Sequence, residues 1–450
     1  MSETVKISKG LNIKLKGEAK ERKTDTLTDT VGMVPDDFPG WKWRLLVKEG
    51  DTVLKGTALL TDKNERGINI VAPIEGTVEK VIRGERRKIE AIVIKANGAV
   101  TKTLPVEKEL PFEIVETQRD TIIRTLLSSG LWAMMRQRPY DYVPDPAVAP
   151  RDIFITAFDS APLAPALITP EMREALQSGI RILSKLTDGK VFLGVSPDNN
   201  FNSDIARVFE FEGPHPAGNV GVQIANIKPV NKKETVWALD ARLAVRIGRL
   251  FSDKSLDMDA EVAITGPEAI DPAIVTTIVG AKLSTLLEGH VADVEEDRII
   301  SGNVLTGWKS NVEEDFLRWP YRQVTIIKEG DKADEFMGWA SLNPSKYSVK
   351  KSFPAFLLGL KRPFNFDARI KGGKRAMILS GEYDKVFPFD IYPEFLIKAI
   401  LAKDIDKMEQ LGIYEVAPED FALPEFVDTS KNELQQIVRD GLKYLHDEVE

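Results

Sequence analysis

The chain has 450 residues, of which 43% are hydrophobic and 29% charged, and its formal net charge is −8. At about 150 residues per domain this length predicts roughly three domains, and the hydrophobic content excludes an intrinsically disordered chain. The absence of cysteine excludes disulfides, zinc ribbons, iron–sulfur ligation and thiol catalysis, and 61 basic against 69 acidic residues argue against a general nucleic-acid binder.

Residues 1–100 are predicted to form a small β domain. Two glycine-containing turns, 47–56 and 71–78, resemble those of a biotinyl/lipoyl-type barrel-sandwich hybrid. Lys63 follows Asp62 as the carrier lysine of such a domain would, but its charged neighbours and long turn favour an ordinary solvated lysine. Short alternating runs predict strands at 43–47, 58–61, 68–72, 78–82 and 89–94.

Residues 111–257 are predicted to form a Rossmann-like α/β domain. Strands that alternate with helices favour a parallel sheet covered by helices. Helices are predicted at 118–137, from Thr169 onwards and at 235–251, and strands at 152–158, 191–195 and 209–211.

Two further units complete the predicted α/β multidomain fold. Residues 259–309 suit a β-grasp (SLBB-like) module, with a strand at 262–265, a helix from Asp271 to Gly289 and a strand at 298–305. Residues 310–450 mix a strand at 323–327 with helices. The last helix carries a stripe of apolar residues at helical spacing, namely Leu434, Ile437, Val438, Leu442 and Leu445.

Common catalytic and cofactor-binding motifs are missing from the sequence. It contains no G-x-G-x-x-G after a strand, no P-loop, no G-x-S-x-G and no H-E-x-x-H. Ser196 lacks the second glycine of a nucleophile elbow, and three histidines, His215, His290 and His446, argue against a multi-histidine metal site. The N-terminus has no signal-peptide core, and no run reaches the ~18 apolar residues of a membrane span. We therefore expect a chain that is cytosolic or docked on a membrane protein, without catalytic residues or metal ligands of its own.

The loop 213–218 is the candidate ligand site. Its prolines restrict it to few shapes, and it precedes an apolar segment that can open a helix N-terminus suited to an anion or a polar head group. The alternative is a rigid connection in which His215 bonds to the backbone. The candidate residues are Gly213, Pro214, His215, Pro216 and Gly218.

The stretch 346–375 is the candidate docking surface. It holds nine basic residues and one acid, Asp367, and it includes the apolar run 353–360. Basic charge beside aromatic residues suits an anionic membrane surface or a partner subunit, whereas the alternative is a core strand flanked by solvated lysines. The candidate docking residues are Lys361, Arg362, Phe364, Lys371, Lys374 and Arg375.

Motifs along the whole chain resemble the A subunits of the bacterial sodium-translocating NADH:quinone reductases. They run in order from residue 6 to about residue 440 and include 9–13, 62–67, 71–78, 83–87, 129–132, 156–164, 213–218, 234–237, 300–307 and 388–393. More distantly, the chain is similar to the C subunit of the Rnf electron-transport complex and to the NADH-oxidising flavoprotein subunit of complex I.

The resemblance implies a subunit without its own redox cofactor. The more distant relatives bind flavin under a glycine-rich loop and an iron–sulfur cluster near the C-terminus. Where those relatives have the glycine-rich loop, this chain has the bulky segment 130–135. Where they bind the cluster, it has residues 428–430, which include no cysteine. The resemblance thus implies that NADH, flavins, iron–sulfur centres and quinone are used by the complex, and that the flavin and cluster sites have been lost here.

The resemblance also implies a peripheral subunit on the cytoplasmic face of the bacterial inner membrane. Its partners would be the other subunits of the complex, especially the membrane subunit with the quinone site. A quinone would lie between the α/β and β-grasp domains, with His215 bonded to a quinone oxygen. One alternative is a purely structural assembly scaffold without a quinone site, and another is a free-standing enzyme or lipoyl-type carrier with a modified Lys63.

Overall fold

The computed structural model describes residues 3–22, 25–98, 100, 110–115, 118–199, 201–331, 346–349, 353–354 and 362–449. The described strands form two six-stranded sheets, one four-stranded sheet and one three-stranded sheet. Among the described residues, no helix is long and apolar enough to cross a bilayer.

The N-terminal unit consists of the two smaller sheets. Strands β3, β9, β8 and β5 form one antiparallel sheet, and β4, β6 and β7 form the other. All five predicted strands of this unit are present, with small differences at their ends. The strands of residues 1–100 are β1 (Glu3–Lys6), β2 (Glu21–Arg22), β3 (Thr30–Met33), β4 (Trp43–Leu45), β5 (Thr52–Val53), β6 (Ala58–Asp62), β7 (Asn69–Val71), β8 (Gly76–Arg83) and β9 (Ile89–Ala96).

The first two strands leave this unit and join the larger sheets. Strand β1 pairs in parallel with a strand of the α/β sheet, and β2 pairs with an edge strand of the β-grasp sheet. The N-terminal segment therefore ties three parts of the chain together.

The α/β unit is a doubly wound sheet with the strand order β1-β13-β12-β11-β14-β10. Ile153 and Ile155 of β11 pack in the core that contains α2 and α4, whereas Phe154 between them packs with α3 on the other face. The elements are α1 (Arg119–Ser128), β10 (Arg136–Arg138), β11 (Ile153–Thr156), α2 (Arg173–Ser184), β12 (Val191–Val195), β13 (Arg207–Glu212), α3 (Val220–Ile227), β14 (Val236–Asp240) and α4 (Ala241–Ser252).

Two predicted helices of this unit are wrong in part. Helix α1 stops at Ser128 because Gly130 adopts a positive φ of 76°, and the chain then forms a short 3-10 turn and strand β10. Residues 236–240 form β14, and α4 begins only after Asp240, whose carboxylate accepts a hydrogen bond from the Leu243 amide at 2.9 Å. Strand β14 is buried on both faces, so its sequence shows no alternation that separates it from a helix.

The β-grasp unit has the strand order β18-β17-β19-β15-β16-β2. The helix predicted from Asp271 to Gly289 is wrong: the β-branched run 273–278 forms a strand, and only four residues are α-helical. The inner strand β19 lies beyond residue 309, so the sheet does not end where the predicted domain does. The elements are β15 (Asp259–Thr265), β16 (Ala273–Ile278), α5 (Leu283–Leu286), β17 (Asp297–Ser301), β18 (Trp308–Ser310) and β19 (Gln323–Lys328).

The C-terminal helices cover the second face of the α/β sheet. They share one apolar core with α3, β12 and β13. Within the predicted stripe of the last helix, Ile437 is half-buried and the other four residues are buried. The helices are α6 (Pro393–Leu401), α7 (Ile405–Gln410), α8 (Ala422–Val427) and α9 (Leu434–Val449).

Helices α2 and α4 approach each other through two glycines. A Cβ atom on Gly179 would lie 1.9 Å from the Ala244 carbonyl oxygen, and one on Gly248 would lie 1.9 Å from the Ala175 carbonyl oxygen. These contacts leave no room for a side chain at either position. The close approach holds one helical layer of the α/β unit together.

We expect Gly179→Val to lower the free energy of unfolding by about 1–3 kcal/mol, since the new side chain must push the two helices apart. Chemical denaturation of the full chain measures this change. Gly373→Val is the matched control, because Gly373 has nothing within 4 Å of its Cβ position. Equal stability of the two variants would show that the helices do not meet at these glycines.

Candidate functional site

A cavity of about 320 Å³ opens at the carboxyl ends of the α/β strands. The chain leaves β11 towards β12 and β13 on one side, and then returns through α3 to β14 on the other side. Such a reversal of strand order leaves a crevice at the carboxyl ends of the two strands that flank it. Thr156 ends β11, Asp240 ends β14, and both line the cavity.

Four parts of the chain supply the walls of this cavity. The α/β unit contributes the ends of its strands, and the β-grasp unit contributes the segment 318–323 with the loop 302–308. The N-terminal unit adds Asp36 and Asp37, and the C-terminal region adds Glu419 and Arg439. Its volume falls at the lower end of the range of ~300–1,000 Å³ for small-molecule sites.

His215 is a buried member of the cavity wall. Its amide donates to Asn12 Oδ1 at 2.8 Å, and its carbonyl oxygen accepts from the Leu11 amide at 2.8 Å. Its Nδ1 lies 3.0 Å from Ser160 Oγ, which in turn accepts from the Gly218 amide at 2.8 Å. Burial lowers the pKa of His215 to about 4, although Asp159 opposes the shift. The ring is therefore neutral near pH 7 and offers one N–H donor and one acceptor nitrogen.

Of the five residues predicted in the loop 213–218, only His215 and Gly218 line the cavity. Gly213 packs so closely on the N-terminal segment that a Cβ would lie 2.2 Å from the Ile7 carbonyl oxygen. Pro214 lies against Gly10, and the Pro216 carbonyl accepts from the Asn219 amide at 2.9 Å. The backbone of the loop is thus held in place by hydrogen bonds and close packing, while His215 lies in the cavity wall.

Most charges on the cavity wall are paired. Arg318 bonds to Asp37 through Nε at 2.6 Å, and Arg322 bonds to Asp240 at 2.8 Å. Burial would raise the pKa of Asp240, but Arg322 and the Leu243 amide outweigh it and hold that pKa below its ordinary value. Asp37 differs, because burial raises its pKa despite the opposing Arg318.

Aromatic residues form the β-grasp wall of the cavity. Trp308 is 49% exposed and has the Arg318 guanidinium 5.0 Å from its ring centre. The Arg246 guanidinium lies over the ring of Trp319 in the same way, 5.2 Å from the ring centre. Tyr321 donates its hydroxyl to the Thr306 carbonyl oxygen at 2.6 Å, and burial raises the pKa of Tyr321 to about 12. This wall therefore presents flat apolar surface, and its tyrosine Tyr321 does not titrate near pH 7.

Sequence reasoning missed most of the residues that line this cavity. Thr156 could have been found, because it lies in a predicted strand of the α/β sheet, whereas Asp240 lies in a segment that was predicted to be helical. Trp308, Tyr321 and Glu419 come from segments remote in sequence, so no local pattern places them together.

The predicted docking residues are spread between surface and core. Phe364 is only 2% exposed and therefore belongs to the core, where it cannot contact a partner, so this assignment is wrong. Lys371 and Lys374 form ion pairs with Asp367 at 3.1 Å and with Glu433 at 2.5 Å. Arg362 and Arg375 are exposed, whereas Lys361 lies outside the described residues.

The segments 130–135 and 428–430 are held by local packing and hydrogen bonds. Leu131, Trp132, Ala133 and Met135 are fully buried, and Trp132 donates to the Pro144 carbonyl oxygen at 2.8 Å. Asp428 accepts from the amides of Ser430 and Asn432 and closes a local turn. The described residues contain no cluster of metal-ligating side chains.

Sequence models of one family match three parts of the chain. They are the NqrA N-terminal barrel-sandwich hybrid domain at residues 5–97, the NqrA second alpha/beta domain at 117–256 and the NQRA C-terminal domain, an SLBB unit, at 261–311. The predicted types of the first three domains are confirmed by these matches.

Full-length relatives are similar over the whole chain, and the three that follow all bear the name of the A subunit of a Na(+)-translocating NADH-quinone reductase. The protein from Marinomonas sp. (strain MWYL1) is 35% identical and aligns over 98% of this chain and 99% of its own length. The protein from Pasteurella multocida (strain Pm70) is 35% identical over 99% of this chain and 100% of its own. The protein from Neisseria meningitidis serogroup B is 33% identical over 99% of this chain and 100% of its own length.

Among solved structures, an NAD+-reducing [NiFe]-hydrogenase in the air-oxidized state gives a TM-score of 0.38 at 11% identity. That alignment covers 73% of this chain and 61% of the hydrogenase chain.

We expect the imidazole resonances of His215 to titrate near pH 4, because burial disfavours the charged ring. NMR of the chain labelled at histidine measures this, and His215→Asn identifies the resonance by removing it. The neutral ring then contributes stability above the unfolded pKa of about 6.5, and that stability is lost as the pH falls towards 4. His290→Asn is the control, because it removes a different histidine and should leave the His215 resonance in the spectrum. Titration of His215 near pH 6.5 would contradict its burial.

Proposed function

The chain belongs to the NqrA family, the A subunits of the Na(+)-translocating NADH-quinone reductases, and from this membership we propose that it holds a quinone in the cavity at the carboxyl ends of its α/β strands. The chain is thus part of a quinone-reducing complex that transports sodium. The proposal adds that this subunit has its own place for the quinone ring.

The combination of aromatic and neutral polar groups around the cavity carries the proposal. A quinone head group is a planar ring whose two carbonyl oxygens only accept hydrogen bonds. Trp308 and Trp319 supply flat surfaces on one side. Neutral His215 lies in the wall formed by the α/β unit, where α3 begins at Val220 directly after Asn219. The first amides of a helix have no partner within the helix and therefore add donors at this wall.

The proposal gives the chain no redox cofactor of its own. Residues 131–135 are buried in the core, which supports the implication of the resemblance that no flavin lies there. The sequence has no cysteine to ligate an iron–sulfur cluster. Electrons from NADH would therefore reach the quinone through other subunits of the complex.

We further propose that the chain is a peripheral subunit that docks on the membrane subunits at the cytoplasmic face of the membrane. The exposed basic residues Arg362 and Arg375 support docking at the membrane, since cations suit an anionic headgroup region. In the same part of the sequence, Ile370 and Ile378 expose 56% and 57% of their surface and add apolar contact area.

We expect the full-length chain to bind a short-chain ubiquinone with saturable quenching of tryptophan fluorescence, because two tryptophans line the cavity. Ala161→Phe should weaken binding by about tenfold or more, equivalent to about 1.4 kcal/mol, since Ala161 lines the cavity and the added ring fills it.

Ala164→Phe is the matched control for this experiment. Ala164 lies in the same segment, is also half-buried, and does not line the cavity. Its quinone affinity should equal that of the unmodified chain. Absence of saturable quenching, or equal affinity in both variants, would favour a structural scaffold without a quinone site.

For the docking surface, we expect Arg362→Glu combined with Arg375→Glu to reduce the amount of chain recovered with membranes from its native host. Each cation near an anionic surface contributes about 1 kcal/mol at most, so the loss should be partial, and it should shrink at high salt because ions screen the attraction. Immunoblotting of washed membranes measures it. The control is Arg86→Glu combined with Arg87→Glu, which changes two exposed residues on a turn of the N-terminal unit. Equal recovery of the two double variants would show that Arg362 and Arg375 do not take part in docking.

A further inference from the structure

A serine outside the lining of the cavity contacts His215 in its wall. Ser160 Oγ lies 3.0 Å from His215 Nδ1 and accepts from the Gly218 amide at 2.8 Å. Ser160 follows β11, whereas His215 and Gly218 precede α3, so this hydroxyl bridges two loops at the carboxyl ends of the strands. Because Ser160 does not line the cavity, it acts on a bound molecule only through these neighbours.

Close contacts fix the position of this serine. A Cβ atom on Gly218 would lie 2.6 Å from the Ser160 backbone nitrogen, so the two loops touch. Thr156 Oγ1 lies 2.9 Å from the Gly218 carbonyl oxygen and accepts from Gln223 Nε2 at 2.9 Å. Gln223 is buried and anchors this chain of hydrogen bonds in the core. Ser160 Oγ and His215 Nδ1 are thus held in contact from both loops.

The hydrogen bonds of Ser160 determine which nitrogen of the neutral ring carries the proton. A serine hydroxyl has one hydrogen to donate, and the Ser160 oxygen already accepts from the Gly218 amide. Among the described residues, His215 Nδ1 is the only acceptor that bonds to this hydroxyl. A proton on Nδ1 would give the half-buried hydroxyl two donors and leave its own hydrogen without an acceptor among these residues. An unmade hydrogen bond of this kind is unfavourable, so the proton belongs on the other nitrogen.

That other nitrogen, Nε2, is available to the cavity. Within the described part of the chain it has no hydrogen-bond partner, and it is not one of the fully enclosed unpartnered atoms. His215 is only 4% exposed and lines the cavity. The small accessible surface of Nε2 therefore belongs to the cavity, where a bound molecule can meet it.

We propose that Ser160 is a positioning residue, which donates its hydroxyl hydrogen to His215 Nδ1 and thereby holds the ring in the tautomer whose Nε2–H donates to a carbonyl oxygen of the molecule in the cavity. The hydrogen-bond network assigns this tautomer. The opposite tautomer would place an acceptor nitrogen against the acceptor oxygen of the ligand. The inference rests on the proposed quinone site and names the residue that orients the donor for one quinone oxygen.

The first measurement locates the ring proton by nitrogen NMR of the histidine-labelled chain near pH 7, without quinone. A protonated and an unprotonated imidazole nitrogen have distinct shifts, and His215→Asn identifies the signals by removing them. We expect the proton on Nε2. Ser160→Ala should shift the Nδ1 signal and admit the other tautomer, whereas Ser160→Thr keeps the hydroxyl and should keep the spectrum. A proton on Nδ1 in the unmodified chain would overturn the role of Ser160.

The second measurement is the affinity of the full-length chain for short-chain ubiquinone by tryptophan quenching. Ser160→Ala should weaken binding about fivefold, the effect of about one net hydrogen bond, and Ser160→Thr should restore it. In a His215→Asn background, Ser160→Ala should cause no further loss, because the serine acts through the ring. The same loss in both backgrounds would overturn the proposal, and the NMR measurement decides it if His215→Asn does not fold.

Ser203→Ala is the matched control. Ser203 is also half-buried, its Oγ accepts from the Ile205 and Ala206 amides, and it lies 3.0 Å from Gln177 Oε1, away from the cavity lining. This variant should keep both the imidazole spectrum and the quinone affinity.

The two measurements separate the two proposals. Saturable quinone binding with a proton on Nδ1 would overturn the role of Ser160 and leave the quinone site standing. A chain with the proton on Nε2 that binds no quinone would overturn the quinone site, and with it the donor role of His215.

Discussion

Asp37 joins three parts of the chain at the cavity. It accepts from Arg318 Nε at 2.6 Å and from the Trp319 amide at 2.9 Å, and the Asp37 carbonyl oxygen accepts from Arg136 Nη2 at 2.6 Å. A buried ion pair that loses one partner leaves an uncompensated charge, which costs about 3–5 kcal/mol. The β-grasp wall and the wall around β10 thus keep their relative positions through this residue, and the cavity between them depends on it.

Paired charges around this junction leave neutral groups to face the ligand. The Arg318 and Arg322 guanidinium groups are engaged by Asp37 and Asp240. His215 is neutral because it is buried, and Tyr321 keeps its proton for the same reason. A cavity with matched charges, aromatic walls and neutral donors suits an uncharged planar molecule better than an anion. This agrees with membership in a quinone-reducing complex.

Five of the nine described strands in residues 1–100 were predicted from short runs broken by glycine, proline and charged residues. The prediction failed at β14 and at the strand Ala273–Ile278, where neighbouring packing decides between strand and helix. His215 was found because two prolines mark its loop. The meeting of Asp37, Trp308 and Glu419 could not be predicted, since each comes from a different unit and only the packed chain brings them to one cavity.

Crystals of the full-length chain soaked with a brominated short-chain quinone test the central claim most directly, because the anomalous signal of bromine marks the position of the ring. We expect a strong peak between the end of β11 and the wall formed by Trp308 and Trp319. A peak found only outside the cavity, or no peak at a concentration that saturates tryptophan quenching, would contradict the proposed quinone site.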